Sequence, residues 1–123
     1  MVLADTSIWI DHFRRGDFQL FELLELGEIV MHPFIIGELV LGHVPKIAEM
    51  IDDLSGLPRA VVASADEVLG FITDRKLPGS GIGYVDAHLL AAAALTPETS
   101  VWTRDKRLLA AAQSLSLAAE FPE

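Results

Sequence analysis

Short apolar, β-branched runs alternate with longer helical segments along this chain, and no other feature of the sequence constrains the fold as strongly. The runs predict strands at 2–4, 29–31, 60–63 and 101–103, with a last short strand at 115–118. Helices are predicted between them, at 8–15, 18–26, 33–41, 45–56, 65–76, 82–95 and 106–113. Strands that alternate with helices form parallel sheets covered on both faces. We therefore expect a single α/β domain over residues 1–123, with a parallel β-sheet of four or five strands.

The composition excludes several classes of protein. The 123 residues are 51% hydrophobic, which is enough for one core without a disulfide or a structural metal. Cysteine is absent, so zinc fingers, thiol nucleophiles and redox pairs are excluded. The longest apolar run, 89–95, is shorter than the roughly 18 residues of a membrane span, and no basic flank of a signal peptide precedes Asp5. We expect a cytoplasmic protein.

The net charge of −9 argues against a simple basic nucleic-acid binder, since Lys and Arg make the phosphate contacts. Five basic residues nevertheless lie in or beside the segments described next, where they could hold phosphates. These candidate RNA ligands are Arg14, Arg15, Arg104, Lys106 and Arg107.

Four acidic residues lie in apolar surroundings. Asp5 and Asp105 follow predicted strands, while Glu38 and Asp86 lie in apolar helical segments with no Lys or Arg within one turn. An ionised carboxylate in such surroundings is unfavourable unless a cation pairs with it. In open parallel sheets, ligands bind outside the carboxyl ends of the strands.

Separate structural roles would explain each acid alone, because aspartate is a common helix N-cap and a helical glutamate can lean towards solvent. A cation bound where the four converge would explain them together. Ligation by carboxylates alone suits hard ions such as Mg²⁺ or Mn²⁺.

The segments that carry these acids resemble the PIN domain, and more narrowly the VapC toxin ribonucleases of bacterial toxin–antitoxin pairs. The matching segments are residues 2–7, 37–39, 81–91 and 101–108. The resemblance implies an acidic metal site with a hydroxyl residue beside its last acid and an auxiliary hydroxyl near its first. The residues so implied are Asp5, Glu38, Asp86 and Asp105 as metal ligands, Thr103 beside them and Thr6 as the auxiliary residue.

The resemblance also implies a function. The chain is expected to be a metal-dependent endoribonuclease, the toxin of a VapBC-type pair, which hydrolyses a phosphodiester in structured or single-stranded RNA. One or two Mg²⁺ or Mn²⁺ ions would activate the attacking water. The expected partners are a cognate VapB-like antitoxin and a second copy of the chain in a homodimer. Apolar helices at 18–26 and 35–41 are expected to offer a groove for the antitoxin.

Four neighbouring carboxylates raise one another's pKa, and a metal ion reverses that effect. The activity is therefore expected to rise with pH through the mildly acidic range and to be lost on chelation.

Three alternatives stay open. The chain could be a catalytically inactive PIN-like binding module in which the four acids are structural. A phosphatase of the haloacid dehalogenase type needs an aspartate two residues after Asp5, where this chain has Ser7. A phospho-receiver domain needs an aspartate after a middle strand, where this chain has His32 and Pro33.

Overall fold

The computed structural model describes residues 1–42 and 45–121, so positions 43, 44, 122 and 123 of the expected domain lie outside the described residues. Three strands are found in this part of the chain: β1 (Val2–Ala4), β2 (Ile29–Val30) and β3 (Ser100–Trp102). The helices are α1 (Thr6–Arg15), α2 (Phe18–Glu25), α3 (Pro33–Leu41), α4 (Ile47–Ser55), α5 (Ala65–Asp74), α6 (Tyr84–Leu95) and α7 (Lys106–Ser114).

The sheet has the order β2-β1-β3, and both pairings are parallel. Leu3 of the central strand pairs with Val30 on one side and Val101 on the other. All three residues of β1 are buried, as expected for the central strand of a parallel sheet covered by helices. The predicted α/β class is confirmed, and the carboxyl ends of β1 and β3 lie side by side.

The sheet has three strands where four or five were predicted. The segment at 60–63 is not a strand: it is preceded by a single bridge between Met31 and Arg59, after which the Val61 amide donates to Thr96 Oγ1 at 2.8 Å. The segment at 115–118 makes a single bridge between Val101 and Ala118. Its first amides bond instead to carbonyls in the last turn of α7. In both places, backbone amides that a strand would pair with its neighbour bond instead to groups at the C-terminal end of a helix.

Helix α6 is buried almost all round, with Ala87–Ala93 in the core. It was predicted to begin at 82, but Gly81 has a positive φ of 85° and Gly83 is the extended N-cap, so the first helical residue is Tyr84. The predicted capping box of α5 is confirmed, since Ser64 and Glu67 bond to each other's amides. No helix within the described ranges has the length and apolar character needed to cross a membrane.

Candidate active site

Asp5 lies at the carboxyl end of β1 and caps the N-terminus of α1. Its carboxylate accepts hydrogen bonds from the Ser7 amide at 3.0 Å and from the Ser7 hydroxyl. The Asp5 amide donates to the Trp102 carbonyl of β3 at 2.9 Å. Asp5 is only 6% exposed, so its charge is held inside the fold by donors from its own helix and from the neighbouring strand.

Thr103 connects the two aspartates that follow strands. Its hydroxyl donates to Asp5 Oδ2 and accepts from the Asp105 amide at 3.0 Å. Asp105 in turn caps α7 by accepting from the Leu108 amide at 2.9 Å. The two acids meet because β1 and β3 are parallel neighbours, so their carboxyl ends share one edge of the sheet.

Glu38 reaches the same edge from α3. Its Oε1 accepts from the Thr6 hydroxyl at 2.7 Å, which joins α3 to the first residue of α1. Ile35 and Leu39 on the same helix are buried, whereas Glu38 is exposed. Helix α3 therefore presents its apolar side to the core and Glu38 to the rim of the site.

Asp86 brings the fourth carboxylate, from the first turn of α6, where its Oδ2 accepts from the Gly83 amide at 3.1 Å. Burial raises the pKa of Asp86, the Gly83 hydrogen bond opposes that effect, and the charges of Asp105, Asp5 and Glu38 raise the pKa further. The other three predicted acids therefore lie close enough for their charges to act on Asp86.

No basic side chain neutralises these acids within the described ranges. The salt bridges found there join Arg15 or Arg104 to Asp11, and Arg104 to Asp17. The site thus concentrates negative charge that the described part of the protein leaves uncompensated.

A sequence model of the PIN domain matches residues 2–113. The chain belongs to the PIN-domain family. Ribonuclease VapC32 of Mycobacterium tuberculosis, from strains CDC 1551 / Oshkosh and ATCC 25618 / H37Rv, is 46% identical over 111 residues, which are 90% of each chain. The crystal structure of PAE2754 from Pyrobaculum aerophilum covers 92% of this chain and 85% of its own, with a TM-score of 0.60. At 17% identity that likeness concerns the fold alone. The resemblance to VapC ribonucleases read from the four acidic segments is confirmed.

The donor chemistry of this PIN domain suits a divalent hard cation, because carboxylate and hydroxyl oxygens are the ligands such ions prefer. As they stand, no three histidine or acidic side chains in the described residues are grouped closely enough to hold a metal. Asp5, Asp86 and Asp105 instead each give one oxygen to amides at a helix start. A cation would have to draw the carboxylates together from these positions, and its charge would offset the repulsion between them.

The basic residues predicted to contact RNA differ in how they are held in the PIN domain. Arg104 donates to Asp11 at 2.6 Å and to Asp17 at 2.7 Å, so it connects α1 and the start of α2 to the segment after β3. Arg14 is exposed on α1, and Lys106 and Arg107 are exposed in the first turn of α7. This places Arg104 in a structural network and leaves the other side chains at the surface.

Ser7 was not among the predicted site residues, although it donates to Asp5 through both its amide and its hydroxyl. Its hydroxyl also accepts from the Arg104 amide at 3.3 Å. The signal was present in the sequence, because a residue two positions after an N-cap presents its amide to the capping carboxylate.

Replacing Arg104 is expected to destabilise the PIN domain. Arg104→Gln removes two charge-assisted hydrogen bonds that join distant parts of the chain, for a loss of about 1 kcal/mol and a melting temperature about 4 °C lower. The matched control is Arg15→Gln, because Arg15 reaches the same Asp11 at 3.6 Å with 74% of its side chain exposed. Thermal unfolding measures both, and an equal loss in the two variants would contradict the structural role.

Thr103→Val is expected to lower the rate of RNA cleavage, because it removes the hydroxyl that donates to Asp5 while keeping the shape of the side chain. Loss of such a supporting hydrogen bond lowers metal affinity or rate by about 10- to 100-fold. Thr103→Ser keeps the hydroxyl and should restore most of the rate. Cleavage rates measured over a Mn²⁺ titration test the expectation, which fails if the valine and serine variants behave alike.

Proposed function

We propose that this chain, as one PIN-like domain over residues 1–123, is the toxin endoribonuclease of a VapBC-type toxin–antitoxin pair in the cytoplasm. It hydrolyses a phosphodiester bond in structured or single-stranded RNA with Mg²⁺ or Mn²⁺. The observation that carries the proposal is that the charges of three acids raise the pKa of a fourth, Asp86, without a neutralising cation among the described residues. The printed name of the Mycobacterium relatives, ribonuclease, supports the reaction class.

Asp5 and Asp86 are the proposed main ligands, because they lie deepest of the four acids. Glu38 and Asp105 are more exposed and would complete the site or hold a second ion. The bound ion supplies an attacking water of lowered pKa and offsets charge on the phosphate oxygens. Thr103 orients Asp5, and Thr6 fixes the Glu38 carboxylate against α1.

The test is RNA cleavage by the purified protein with Mg²⁺, with Mn²⁺ or with EDTA, and with Asp5→Asn beside the wild type. We expect cleavage that requires the metal and is lost in the variant. Cleavage that persists in EDTA, or that Asp5→Asn retains at the wild-type rate, would contradict the proposed site.

One competing function has an observation in its favour. Asp5 and Asp105 cap helices and Asp86 accepts from the N-cap amide of α6, and a catalytically inactive binding module would use them in that way. In that case metal would neither raise the melting temperature nor permit cleavage. A rise in melting temperature without cleavage would instead show that the protein binds the metal but that the RNA tested is not its substrate.

The antitoxin is proposed to bind a groove different from the predicted one. Of the two helices predicted to form the groove, α3 contributes Glu38 and Leu39 to the lining of the proposed one, and α2 contributes no residue to it. The structure has a groove of about 540 Å³ whose lining includes Ile10 and Phe13 of α1 and Met50 of α4. Glu38 also lines it, so an apolar segment bound there could direct a basic side chain towards the acids.

Co-expression with the cognate antitoxin tests this placement. Phe13 is 48% exposed, so Phe13→Glu should weaken the complex without unfolding the domain. Phe18→Glu is the comparison for the groove predicted from the sequence, because Phe18 is a residue of α2 that is 76% exposed. Light scattering of the purified chain would also test the proposed homodimer, which a monomer at working concentration would contradict.

A further inference from the structure

Arg107 lies directly over Gly81, in the loop that precedes α6. A Cβ atom placed on Gly81 would lie 3.0 Å from Arg107 Cδ and 3.3 Å from its Nε. These distances leave no room for a side chain at position 81 unless the arginine moves. Gly81 also has a positive φ, as does Gly79 in the same loop, but a Cβ atom on Gly79 would meet nothing within 4 Å.

This contact places the guanidinium between the starts of two helices that carry site acids. Arg107 is in the first turn of α7, two residues after the N-cap Asp105. Gly81 is two residues before Gly83, whose amide binds the Asp86 carboxylate. The side chain of Arg107 thus reaches from the first turn of α7 to the loop before α6.

Arg107 lies at a helix end that attracts anions and has no ion-pair partner among the described residues. The N-terminal end of a helix carries partial positive charge, which disfavours a cation and attracts an anion. Within the described residues Arg107 forms no salt bridge, in contrast to Arg104, which is held by two aspartates. An incoming phosphate would pair with the guanidinium and would be favoured by the same helix end.

We propose that Arg107 binds a phosphate of the RNA next to the cleaved one, and that Gly81 holds the guanidinium in place by leaving room for it. The inference rests on the proposed ribonuclease function and adds a specific phosphate ligand to the site. Arg107 is distinguished from the other four basic candidates by the close approach of its side chain to Gly81.

The first experiment compares Arg107→Gln with Arg75→Gln. The second substitution removes the same charge from the C-terminal end of α5. The probe is a labelled single-stranded RNA of mixed sequence, since phosphate contacts do not depend on sequence. We expect Arg107→Gln to raise KM by about 10-fold with little change in kcat. The slope of log binding constant against log salt concentration should become shallower by about 1. Binding is measured in an Asp5→Asn background so that cleavage does not interfere.

The second experiment compares Gly81→Ala with Gly79→Ala, because both replace a glycine of positive φ but only the first displaces Arg107. Gly81→Ala should raise KM as Arg107→Gln does, and the double variant should be no worse than either single one. Melting temperatures of all variants separate loss of binding from loss of fold.

The outcomes separate this inference from the function on which it rests. Arg107→Gln that cleaves and binds like Arg75→Gln would overturn the role of Arg107. Gly81→Ala that behaves like Gly79→Ala would overturn the positioning role of the glycine. A wild-type chain that neither cleaves nor binds any RNA would overturn the proposed function and this inference together.

Discussion

Asp86→Asn is expected to reduce metal-dependent RNA cleavage by about 100- to 1000-fold and, in the absence of metal, to raise the melting temperature of the protein. The loss of activity follows from removing a charged ligand from the proposed site, an effect comparable to deleting one group that stabilises a transition state. The gain in stability follows from the pKa of Asp86, which burial and the three other acids raise.

The sign of the stability effect depends on pH. An aspartate whose pKa is higher in the folded protein than its unfolded value of about 3.9 destabilises the fold when it is ionised. That penalty is absent below the unfolded pKa, develops as pH rises through the folded pKa and is fully present at neutral pH. Asparagine removes the charge and keeps an oxygen that can accept from the Gly83 amide, so the gain should be seen at pH 7 and vanish in strong acid.

Asp52→Asn is the matched control, because Asp52 is an exposed aspartate of α4. It should change neither cleavage nor melting temperature appreciably. Thermal unfolding in EDTA and cleavage in Mn²⁺ are measured for both variants. A lower melting temperature in Asp86→Asn would contradict the electrostatic account, and an unchanged cleavage rate would contradict the placement of the metal.

The second large effect is stabilisation by the metal itself. A ligand that binds only the folded state, present at about 100 times its Kd, adds about 2.7 kcal/mol to the free energy of unfolding. For a domain of this size the melting temperature rises by roughly 10 °C. Because the ion competes with protons for the carboxylates, the increase should be small in acid and grow as pH rises through the raised pKa of Asp86. Cleavage should follow the same pH dependence.

A titration with Mg²⁺ or Mn²⁺ at several pH values measures the stabilisation, and EDTA should reverse it. Asp5→Asn and Asp86→Asn should each reduce the increase, whereas Asp52→Asn should not. Cleavage without any metal-induced rise in melting temperature would argue that the ion arrives with the RNA rather than binding the free protein.

The parts of the fold that the sequence predicted well are those determined locally. The strands at 2–4 and 101–103 were recognisable because buried parallel strands are continuous apolar runs, and the acids that follow them were therefore placed at one edge of the sheet. The caps at Asp5 and Asp105 follow from the residue types at a helix start.

The errors came from contacts between distant residues. Whether 60–63 becomes a strand depends on the Thr96 hydroxyl, which takes the Val61 amide from 35 residues away. The ion pairs of Arg104 with Asp11 and Asp17, which are 93 and 87 residues distant in sequence, were likewise not predicted. Composition and spacing carry no information about such pairs, although they brought the four acids of the site to notice.

The hydrogen bond between Thr103 and Asp5 joins residues 98 positions apart, and it determines how much of the chain must be synthesised before the acidic site can form. A nascent chain that ends before residue 100 contains Asp5, Glu38 and Asp86 but lacks β3, which flanks the central strand, and also Thr103 and Asp105. Its first strand has a neighbour on one side only, and Asp5 has no hydroxyl partner from the far segment. Assembly of the acidic site therefore has to wait until the segment that carries β3, Thr103 and Asp105 has been synthesised and has paired with β1.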